Sequence, residues 1–524
     1  MGDCTGWTVG GECVRGRVEM SVVTAADAQS NERKATRKDW LGLVVLAFAV
    51  LLIAVDGTVL DLALPFVSAD LAPSSTELLW IIDVYSFVLA GLLVTMGTLG
   101  DRIGRRRLLL IGAVGFGIAS VIAAWSVSPE MLIAARVLQG ISGATLMPAT
   151  LGLIRTIFTV PRQRTLAIGV WGAMAGGGAA AGPLVGGWLL EHFWWGSVFL
   201  INVPIMLVLV LVGPWVIPEA KDPNPGQFDL VSAALSITTM VPLVYAVKEG
   251  AVHGLHWSLA VMAAIGIASA WVFVRRQRRL SHPMIDLDLF LRPMFTTAVL
   301  TNLLSIFALA GVLFFGSQYL QLVLGASPLE AGLFLLPGTA MSIVASLAAS
   351  ALVRRWQPGT VLAVGLIAAA VGALLLIGLR VDGGPALFVA GFVLVGFGSG
   401  VALTLTSDLV ISSVEPARAG AASAVSETGY ELGIALGVAI LGSVVMAMFR
   451  SGLDVTALSS GDAAAARETL GSAVAIANSQ PGDTAGAVLD SAHAAFVGGM
   501  HVASGITAVV LLATAGLVLR LLRR

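Results

Sequence analysis

Six ionisable side chains lie inside segments of this chain that are otherwise apolar: Asp56, Asp61, Asp83, Arg136, Glu427 and Glu431. A charge at the centre of a bilayer costs about 2.5–3.5 kcal/mol on insertion scales, so each side chain needs a reason to be there. Five acids against one arginine leave carboxyl groups without a basic partner, and a low-dielectric surrounding favours their protonated form. The set predicts a site that exchanges protons or holds a cation. Ion pairs with a purely structural role are the alternative.

The positions of the acids within their apolar segments suggest different roles. Asp56 lies past the midpoint of the first segment and Asp83 near the outer end of the second. Glu427 and Glu431 are four residues apart, which places them on one face of a helix. Asp61 lies near the external end of its segment, where we expect it to be hydrated.

Two tyrosines accompany these acids. Tyr85 follows Asp83, and Tyr430 lies between Glu427 and Glu431. An aromatic face beside a carboxylate suits a lipophilic cation, although core packing explains most aromatic residues. We therefore predict that five residues contact a cationic ligand. They are Asp83, Tyr85, Glu427, Tyr430 and Glu431.

A second pattern is a row of small residues in the fifth apolar segment. Its members are Gly169, Gly178, Gly182, Pro183, Gly186 and Gly187. Three of the glycines are four residues apart, so they line one helix face on which a neighbouring helix can approach to backbone contact. The proline removes a backbone donor and predicts a bend. From the residues alone, this row indicates close helix packing.

The loop after the second apolar segment combines glycine, an acid and arginines: Asp101, Arg102, Gly104, Arg105, Arg106 and Arg107. Gly104 permits a tight reversal of the chain, and the arginines favour the cytoplasmic side of a membrane. A topology signal alone requires neither the acid nor the glycine. We predict that Asp101, Arg102, Gly104 and Arg105 take part in a conformational change.

The composition identifies the class of protein that carries these residues. The 524 residues are 57% hydrophobic and 12% charged, with a mean hydropathy of +0.92, which indicates an integral membrane protein. A net charge of -1 argues against a nucleic-acid partner. Cys4 and Cys13 lie far from any set of histidines or acids, so we predict no metal site and no cofactor.

Apolar segments of about 20 residues predict membrane-spanning helices. They number fourteen, at 41–65, 78–100, 108–127, 131–154, 165–190, 198–217, 230–247, 258–274, 295–319, 331–353, 360–379, 386–411, 420–447 and 496–519. Lysine and arginine concentrate on alternate loops, which places both termini in the cytoplasm. We expect the chain to lie in the cell (inner or plasma) membrane.

The predicted organisation is therefore an all-α polytopic membrane protein. A cytoplasmic tail (1–39) precedes a six-helix half (40–217), two inserted linker helices (218–280), a second six-helix half (281–519) and a cytoplasmic C-terminus (520–524). The second half contains an external loop at 450–493, with a short helix expected at 463–477. Two six-helix halves form a pseudo-symmetric plan.

Several of these motifs resemble those of the major facilitator superfamily. The loop from Leu99 to Arg107 is similar to its loop signature, the run from Arg136 to Gly140 to its proton-coupling motif, and the glycine row to its antiporter motif. The run from Val55 to Pro65 resembles the first-span motif of the fourteen-span drug:proton antiporters, closest to the QacA type. The resemblance covers essentially the whole chain.

The resemblance implies proton-driven export of lipophilic, mostly cationic drugs by alternating access, with the proton gradient as the energy source. By position, Asp56, Asp83, Arg136 and Glu427 match residues of proton coupling or cation recognition, and Asp101 matches a loop residue that latches one conformation. Two positions depart from the family pattern. Asp61 is an additional acid, and Ser426 replaces an acid beside Glu427, so the selectivity for doubly charged drugs stays open.

The expected partners are small lipophilic cations, protons and membrane lipids, with no obligatory protein partner and a monomeric state. Three alternatives remain. One is an exporter dedicated to a single endogenous antibiotic or lipid-like metabolite, and another is an uptake symporter of the same fold. A membrane enzyme or sensor is the third, but no loop is large enough for an additional domain.

Overall fold

The computed structural model describes residues 34–221, 229–253, 256–280, 283, 287–413 and 419–522. These residues form helices and connecting turns, with no β-strand among them. The helices, in chain order, are α1 (Arg37–Leu71), α2 (Ser75–Ile103), α3 (Arg105–Ala124), α4 (Pro129–Ile157), α5 (Pro161–His192), α6 (Ser197–Val216), α7 (Leu230–His253), α8 (Trp257–Gln277), α9 (Pro293–Gln318), α10 (Pro328–Leu352), α11 (Pro358–Leu376), α12 (Ala386–Ser412), α13 (Ala419–Gly437), α14 (Ser460–Ala466), α15 (Leu470–Asn478) and α16 (Gly482–Leu521).

Three of these helices have local irregularities. Helix α6 is interrupted at Ile201, and α9 ends in a π-helical turn, Tyr319–Val323. Helix α13 continues through another π-helical turn, Val438–Gly442, into a last segment, Ser443–Gly452. Most of the predicted tail (1–33) and the final two arginines lie outside the described residues.

Each predicted span coincides with one of the helices α1 to α13 or with α16. Thirteen helices of the described part are long and apolar enough to cross a membrane. Helix α5, which carries the glycine row, is not among those thirteen, so the count of fourteen stays a prediction. The expected short helix at 463–477 is replaced by two, α14 and α15, and α16 begins well before residue 496.

Sequence signals for helix starts explain several of these boundaries. Capping boxes begin α1 at Thr36, α2 at Ser74 and α10 at Ser327, where each side chain accepts a hydrogen bond from the third residue of its helix. Proline occupies the first position of α4, α5, α9, α10 and α11, where its missing N–H has no helical partner to lose.

Exposed tryptophans mark the two ends of the helix bundle. Trp215, Trp271 and Trp356 lie towards the end that carries Arg105, Arg106 and Arg107, which we call the arginine-rich end. Trp125, Trp188, Trp194 and Trp257 lie towards the opposite end. Such aromatic belts are typical of the two membrane–water interfaces, and they agree with an orientation of the helices across a bilayer.

The helices pack in two groups, α1 to α6 and α9 to α13 with α16. Helices α7 and α8 pack against each other, and α7 also contacts α2. Only 22% of the apolar window of α7 and 11% of that of α8 is buried, against 61% for α1, so these two helices lie at the periphery. The ionisable residues are therefore positioned by the two central groups.

Candidate functional site: a buried carboxylate network and a closed end

Asp56 lies at the centre of a buried polar network in the first helix group. The residue is 1% exposed, and its Oδ2 accepts a hydrogen bond from Arg136 Nη1 at 2.9 Å. Its Oδ1 accepts one from Asn202 Nδ2 at 2.7 Å. Ser120 Oγ accepts from Asn202 Nδ2 at 3.1 Å and from Gln139 Nε2 at 3.0 Å. Helices α1, α3, α4 and α6 thus converge on one carboxyl group.

Arg136 has further partners besides Asp56. Its Nε donates to the main-chain oxygen of Ile81 at 3.1 Å, and its Nη1 donates to Gln139 Oε1 at 3.0 Å. Its guanidinium carbon lies 4.5 Å from the centre of the Tyr85 ring, which is a cation–π contact. The close approach of α4 to α2 depends on Gly140, where a Cβ atom would lie 2.8 Å from the main-chain oxygen of Tyr85.

Asp61 of α1 lies within electrostatic range of Arg136 and of Asp83, which lies on α2. Asp83 is 1% exposed and Asp61 is 6% exposed. The expectation that Asp61 is hydrated near the external surface is therefore wrong. Helix α1 continues to Leu71, beyond the predicted end at 65, and Ser317 Oγ of α9 donates to the Asp61 main-chain oxygen at 2.9 Å.

The second helix group contributes its acids through α13. Glu431 is 4% exposed, and its carboxyl group lies next to the Ser86 side chain of α2, while its Oε2 has no hydrogen-bond partner in the described part of the chain. Glu427 and Tyr430 are partly exposed and lie within electrostatic range of each other. Ser86 directly follows Tyr85 in α2. Since Glu431 lies beside Ser86, the acids of the two helix groups meet between α2 and α13.

The glycine row of α5 packs along the part of α1 that carries Asp56. A Cβ atom on Gly178 would overlap the Leu51 oxygen, and one on Gly186 would lie 2.5 Å from Val59 Cγ2. Between them, Gly182 faces Thr58, where a Cβ atom would overlap the hydroxyl oxygen. Helix α5 is continuous through Pro183, and Gly169 lies on the same helix nearer its start. The row therefore fixes the stretch of α1 that surrounds the buried carboxyl group.

A second row with the same spacing lies on α13 and is not among the features predicted from the sequence. Gly429, Gly433 and Gly437 are four residues apart. A Cβ atom on Gly433 would lie 2.6 Å from the Leu303 oxygen of α9, and one on Gly437 would lie 3.0 Å from Phe307 Cα. In each half, then, glycines hold an acid-bearing helix against its neighbour. The four-residue spacing was a signal that could have found this row.

The loop between α2 and α3 is tied to the segment that follows α6. Asp101 Oδ1 accepts from Arg105 Nε at 2.7 Å, and the Arg105 main-chain N–H donates to the Ala220 oxygen at 2.8 Å. Gly104 has a φ of 110°, which favours glycine, and a Cβ atom there would lie 2.6 Å from Glu219 Oε1. Arg102 is exposed in the last turn of α2. Glu219 also belongs to this site and is not among the residues predicted from the sequence.

Contacts between the two helix groups join them at the end opposite the arginines. Gln321 Nε2 donates to the Leu62 oxygen at 3.2 Å, and the Leu329 main-chain N–H donates to Glu191 Oε1 at 3.3 Å. A Cβ atom on Gly187 would lie 2.6 Å from the Pro328 oxygen. The groups are thus packed together at this end, which we call the closed end.

The loop between α13 and α16 also covers the closed end. Glu468 Oε2 accepts from the Ser75 main-chain N–H at 3.0 Å, and Glu468 Oε1 lies 3.5 Å from Arg450 Nη2. A Cβ atom on Gly471 would lie 2.9 Å from Ser68 Cβ of α1. This loop therefore bridges from the second helix group to α1 and α2.

An apolar cleft of about 350 Å³ lies away from the acids, on the outer side of α3 and α6. Its lining is Ala113, Val114, Gly117, Ile118, Val121, Ile122, Val203, Met206, Leu207 and Val210. Four of these side chains are more than a third exposed, so the cleft opens on the lipid-facing side. It contains no ionisable group and is not the predicted cation site.

Comparison with known proteins identifies the family to which this arrangement belongs. Residues 46–438 match the model of the Major Facilitator Superfamily. The chain belongs to this superfamily. It is a multi-pass membrane transporter and not an enzyme, and the superfamily fold agrees with the all-helical architecture described above.

The relatives that this major facilitator resembles include efflux, export and resistance proteins. It is 51% identical to the multidrug efflux pump LfrA of Mycolicibacterium smegmatis over 93% of its own length and 97% of that protein. It is 38% identical to the methyl viologen resistance protein SmvA of Salmonella typhimurium, over 88% of this chain and 93% of that protein. It is 32% identical to the tetracenomycin C resistance and export protein of Streptomyces glaucescens, over 92% and 91% respectively. These relatives support efflux as the direction of transport.

A solved structure supports the fold of this transporter. A bacterial homologue of the human lysosomal transporter Spinster, in an inward-facing and unoccupied conformation, matches with a TM-score of 0.64. The match covers 94% of this chain and 98% of that chain at 17% sequence identity.

Proposed function

We propose that this transporter is a proton-driven exporter of lipophilic, mostly cationic compounds, of the fourteen-span QacA type. The observation that carries the proposal is the buried Asp56, held between Arg136 and Asn202 within a bundle that is closed at one end. A carboxyl group in such a place can bind one proton and return it. The proton gradient supplies the energy, so we expect transport to need no cofactor or metal. We also expect a monomer to suffice.

The proposed cycle uses the two ends of the bundle in turn. We take the arginine-rich end to be cytoplasmic, so that the closed end faces outwards across the cell membrane. In this state the ionised carboxylates attract a cation from the cytoplasmic side, and Tyr85 and Tyr430 offer aromatic faces beside Glu427 and Glu431. When the closed end opens, the site is exposed to external protons, which neutralise the carboxylates and release the cation. One elementary charge moving across 100 mV is worth about 2.3 kcal/mol before any pH gradient is added.

The loop and the glycines would serve this cycle in different ways. The Asp101–Arg105 pair, with Glu219 beside Gly104, joins α2 and α3 to the end of α6 and would hold the first helix group as one unit. The glycines of α5 sit both against α1 and, through Gly187, at the closed end. They would therefore seal the outer side in this state while keeping Asp56 in place.

A second candidate is an exporter dedicated to one antibiotic or lipid-like metabolite. The similarity to a tetracenomycin C export protein supports it. The two candidates differ in the range of compounds carried, not in the coupling site. A panel of unrelated cations would distinguish them, because a dedicated exporter should transport one member or none.

Ethidium transport in inverted membrane vesicles tests the proposal. Vesicles with the intact chain should accumulate ethidium when a proton gradient is imposed and stop when a protonophore is added. Asp56→Asn should abolish this accumulation. Asp382→Asn makes the same chemical change at a residue whose side chain is 78% exposed and should leave transport intact. Full gradient-driven transport by Asp56→Asn would overturn the assignment of proton coupling to this residue.

Substrate recognition is tested with the other acids. Asp83→Asn and Glu427→Gln should reduce the transport of cations more than that of neutral compounds. An equal loss for both kinds of compound would mean that these acids act in coupling and not in recognition of charge.

A further inference from the structure

A dense group of arginines lies at the end of α8 and in the turn that follows it: Arg275, Arg276, Arg278 and Arg279. Arg276 points towards α7, where Nη2 lies 3.0 Å and Nε 3.2 Å from the two carboxylate oxygens of Asp229. Gln277 Nε2 donates to Ser232 Oγ at 2.7 Å beside this pair. Partial burial favours the neutral acid, but hydrogen bonds from Arg276 and Ser232 outweigh it and hold the pKa of Asp229 below its usual range. Asp229 thus neutralises one arginine and anchors the end of α8.

The other three arginines form one exposed face. Arg275, Arg278 and Arg279 follow the i, i+3, i+4 pattern, so their side chains are neighbours on the helix surface. The helical path continues past Gln277, because the Arg278 main-chain N–H donates to the Val274 oxygen at 3.2 Å. None of the three has an acidic partner within the described ranges of the chain. Among the described residues, these three guanidinium groups therefore present a positive surface without a neutralising acid.

The same face of α8 is apolar on the side towards the middle of the membrane. Val261, Ile267 and Trp271 are 44%, 62% and 60% exposed. From Val261 to Trp271 the helix rises about 15 Å, which is about half of a 30 Å hydrocarbon core. The Arg275 guanidinium carbon lies 5.0 Å from the centre of the Trp271 ring, so the tryptophan joins the apolar stripe to the arginines.

We propose that this face of α8 binds an anionic phospholipid of the leaflet at the arginine-rich end, with the phosphate on Arg275, Arg278 and Arg279 and an acyl chain along the stripe. Guanidinium groups bind phosphate oxygens through paired hydrogen bonds. Basic clusters next to a spanning helix attract anionic lipids. A signal that only sets the orientation in the membrane would require the positive charge alone. It would not require the arginines to be aligned with a lipid-facing apolar stripe one leaflet long, or one of them to stack on Trp271.

The proposal is tested on the purified full chain by native mass spectrometry of retained lipids. Phosphatidylglycerol and phosphatidylcholine with the same acyl chains are offered in equal amounts. Arg275→Gln/Arg279→Gln should reduce the preference for phosphatidylglycerol about 30-fold, from roughly 1 kcal/mol per arginine. Arg354→Gln/Arg355→Gln removes the same charge from two exposed arginines at the same end and should leave the preference unchanged.

Three results would overturn the proposal. An equal loss of preference in both double variants would mean that lipids respond to the general surface charge. Displacement of phosphatidylglycerol by millimolar inorganic phosphate would mean that the arginines bind a free anion and that the apolar stripe contributes nothing. Thermal unfolding in phosphatidylcholine checks that each variant is folded. If the double variant does not fold, Arg278→Gln is compared with Arg354→Gln in the same way, and an equal preference in these two would also overturn the proposal.

Discussion

Replacing Gly178 by alanine should disturb the packing of α5 on α1. The effect should be larger than that of the same change at Gly182 or Gly186, which also face α1. A Cβ atom there would overlap the main-chain oxygen of Leu51 and lie 2.9 Å from the Cβ atom of Ala54. These atoms can move only if α1 itself moves. We expect a loss of about 1–3 kcal/mol, as for other overpacked sites. The gain from the higher helix propensity of alanine, about 1 kcal/mol, offsets only part of it.

Gly182→Ala differs because its obstacle is a side chain. The added methyl group would overlap Thr58 Oγ1, while the next atoms are Thr58 Cβ at 3.1 Å and the Val55 oxygen at 3.3 Å. Removing the hydroxyl and methyl groups with Thr58→Ala leaves only contacts that a shift of a few tenths of an ångström relieves. Gly182→Ala/Thr58→Ala should therefore regain most of the stability that Gly182→Ala loses. Gly178→Ala has no corresponding rescue.

Thermal unfolding of the purified protein measures these effects, and ethidium efflux measures their functional result. Gly177→Ala is the matched control, because it lies on the same helix and an added Cβ atom meets nothing within 4 Å. The contact stretch of α1 flanks Asp56, so Gly178→Ala should also slow gradient-driven efflux while Gly177→Ala leaves it unchanged. If Gly178→Ala is as stable and as active as Gly177→Ala, the close packing of these helices is not what the glycines provide.

Three further predictions concern other parts of the molecule. Asn202→Leu removes the 2.7 Å donor to Asp56 and should lower stability by about 1.5–3 kcal/mol in thermal unfolding, because a buried carboxylate oxygen loses its nearest partner. Gly332→Val should separate α10 from α5 at the closed end, because a Cβ atom there would already overlap the Pro183 oxygen; electron-spin distance measurements between labels on the two helices should show a longer distance. Asp229→Asn should remove part of the acid sensitivity of unfolding. The lowered pKa of Asp229 means that its stabilising contribution is complete above its unfolded pKa of about 3.9 and is lost as the pH falls through the folded value, so the two proteins should converge in strongly acidic buffer.

The spanning helices were predictable because a bilayer requires only a sufficient length of apolar residues. Their ends were less predictable, since a helix can extend into the polar region beyond the membrane. Helix α1 reaches Leu71 and α16 begins at Gly482, both outside the apolar windows. This extension changed the interpretation of Asp61, which lies against α9 and not in water.

The acids of the site were also predictable, because charges stand out in apolar segments. Their neutral partners were not. Asn202, Ser120 and Gln139 are of types that occur throughout membrane helices, and only the packing of α3, α4 and α6 around α1 brings them together. Asp56 and Arg136 are likewise distant in the chain. Counting the charges therefore predicted more acids than arginines, but it could not identify which acid the arginine binds.

The surroundings of Arg136 indicate which member of the buried pair can change its state. Removing one partner of a buried ion pair is strongly unfavourable when the other charge is left uncompensated. When a proton neutralises Asp56, however, the guanidinium group keeps its hydrogen bonds to the Ile81 oxygen and to Gln139 Oε1, and its place over the Tyr85 ring. These three contacts come from α2 and α4 and do not depend on the charge of Asp56. In the proposed cycle, Arg136 would therefore stay fixed between α2 and α4, and a proton at Asp56 would loosen α1 from α4 instead of moving the arginine.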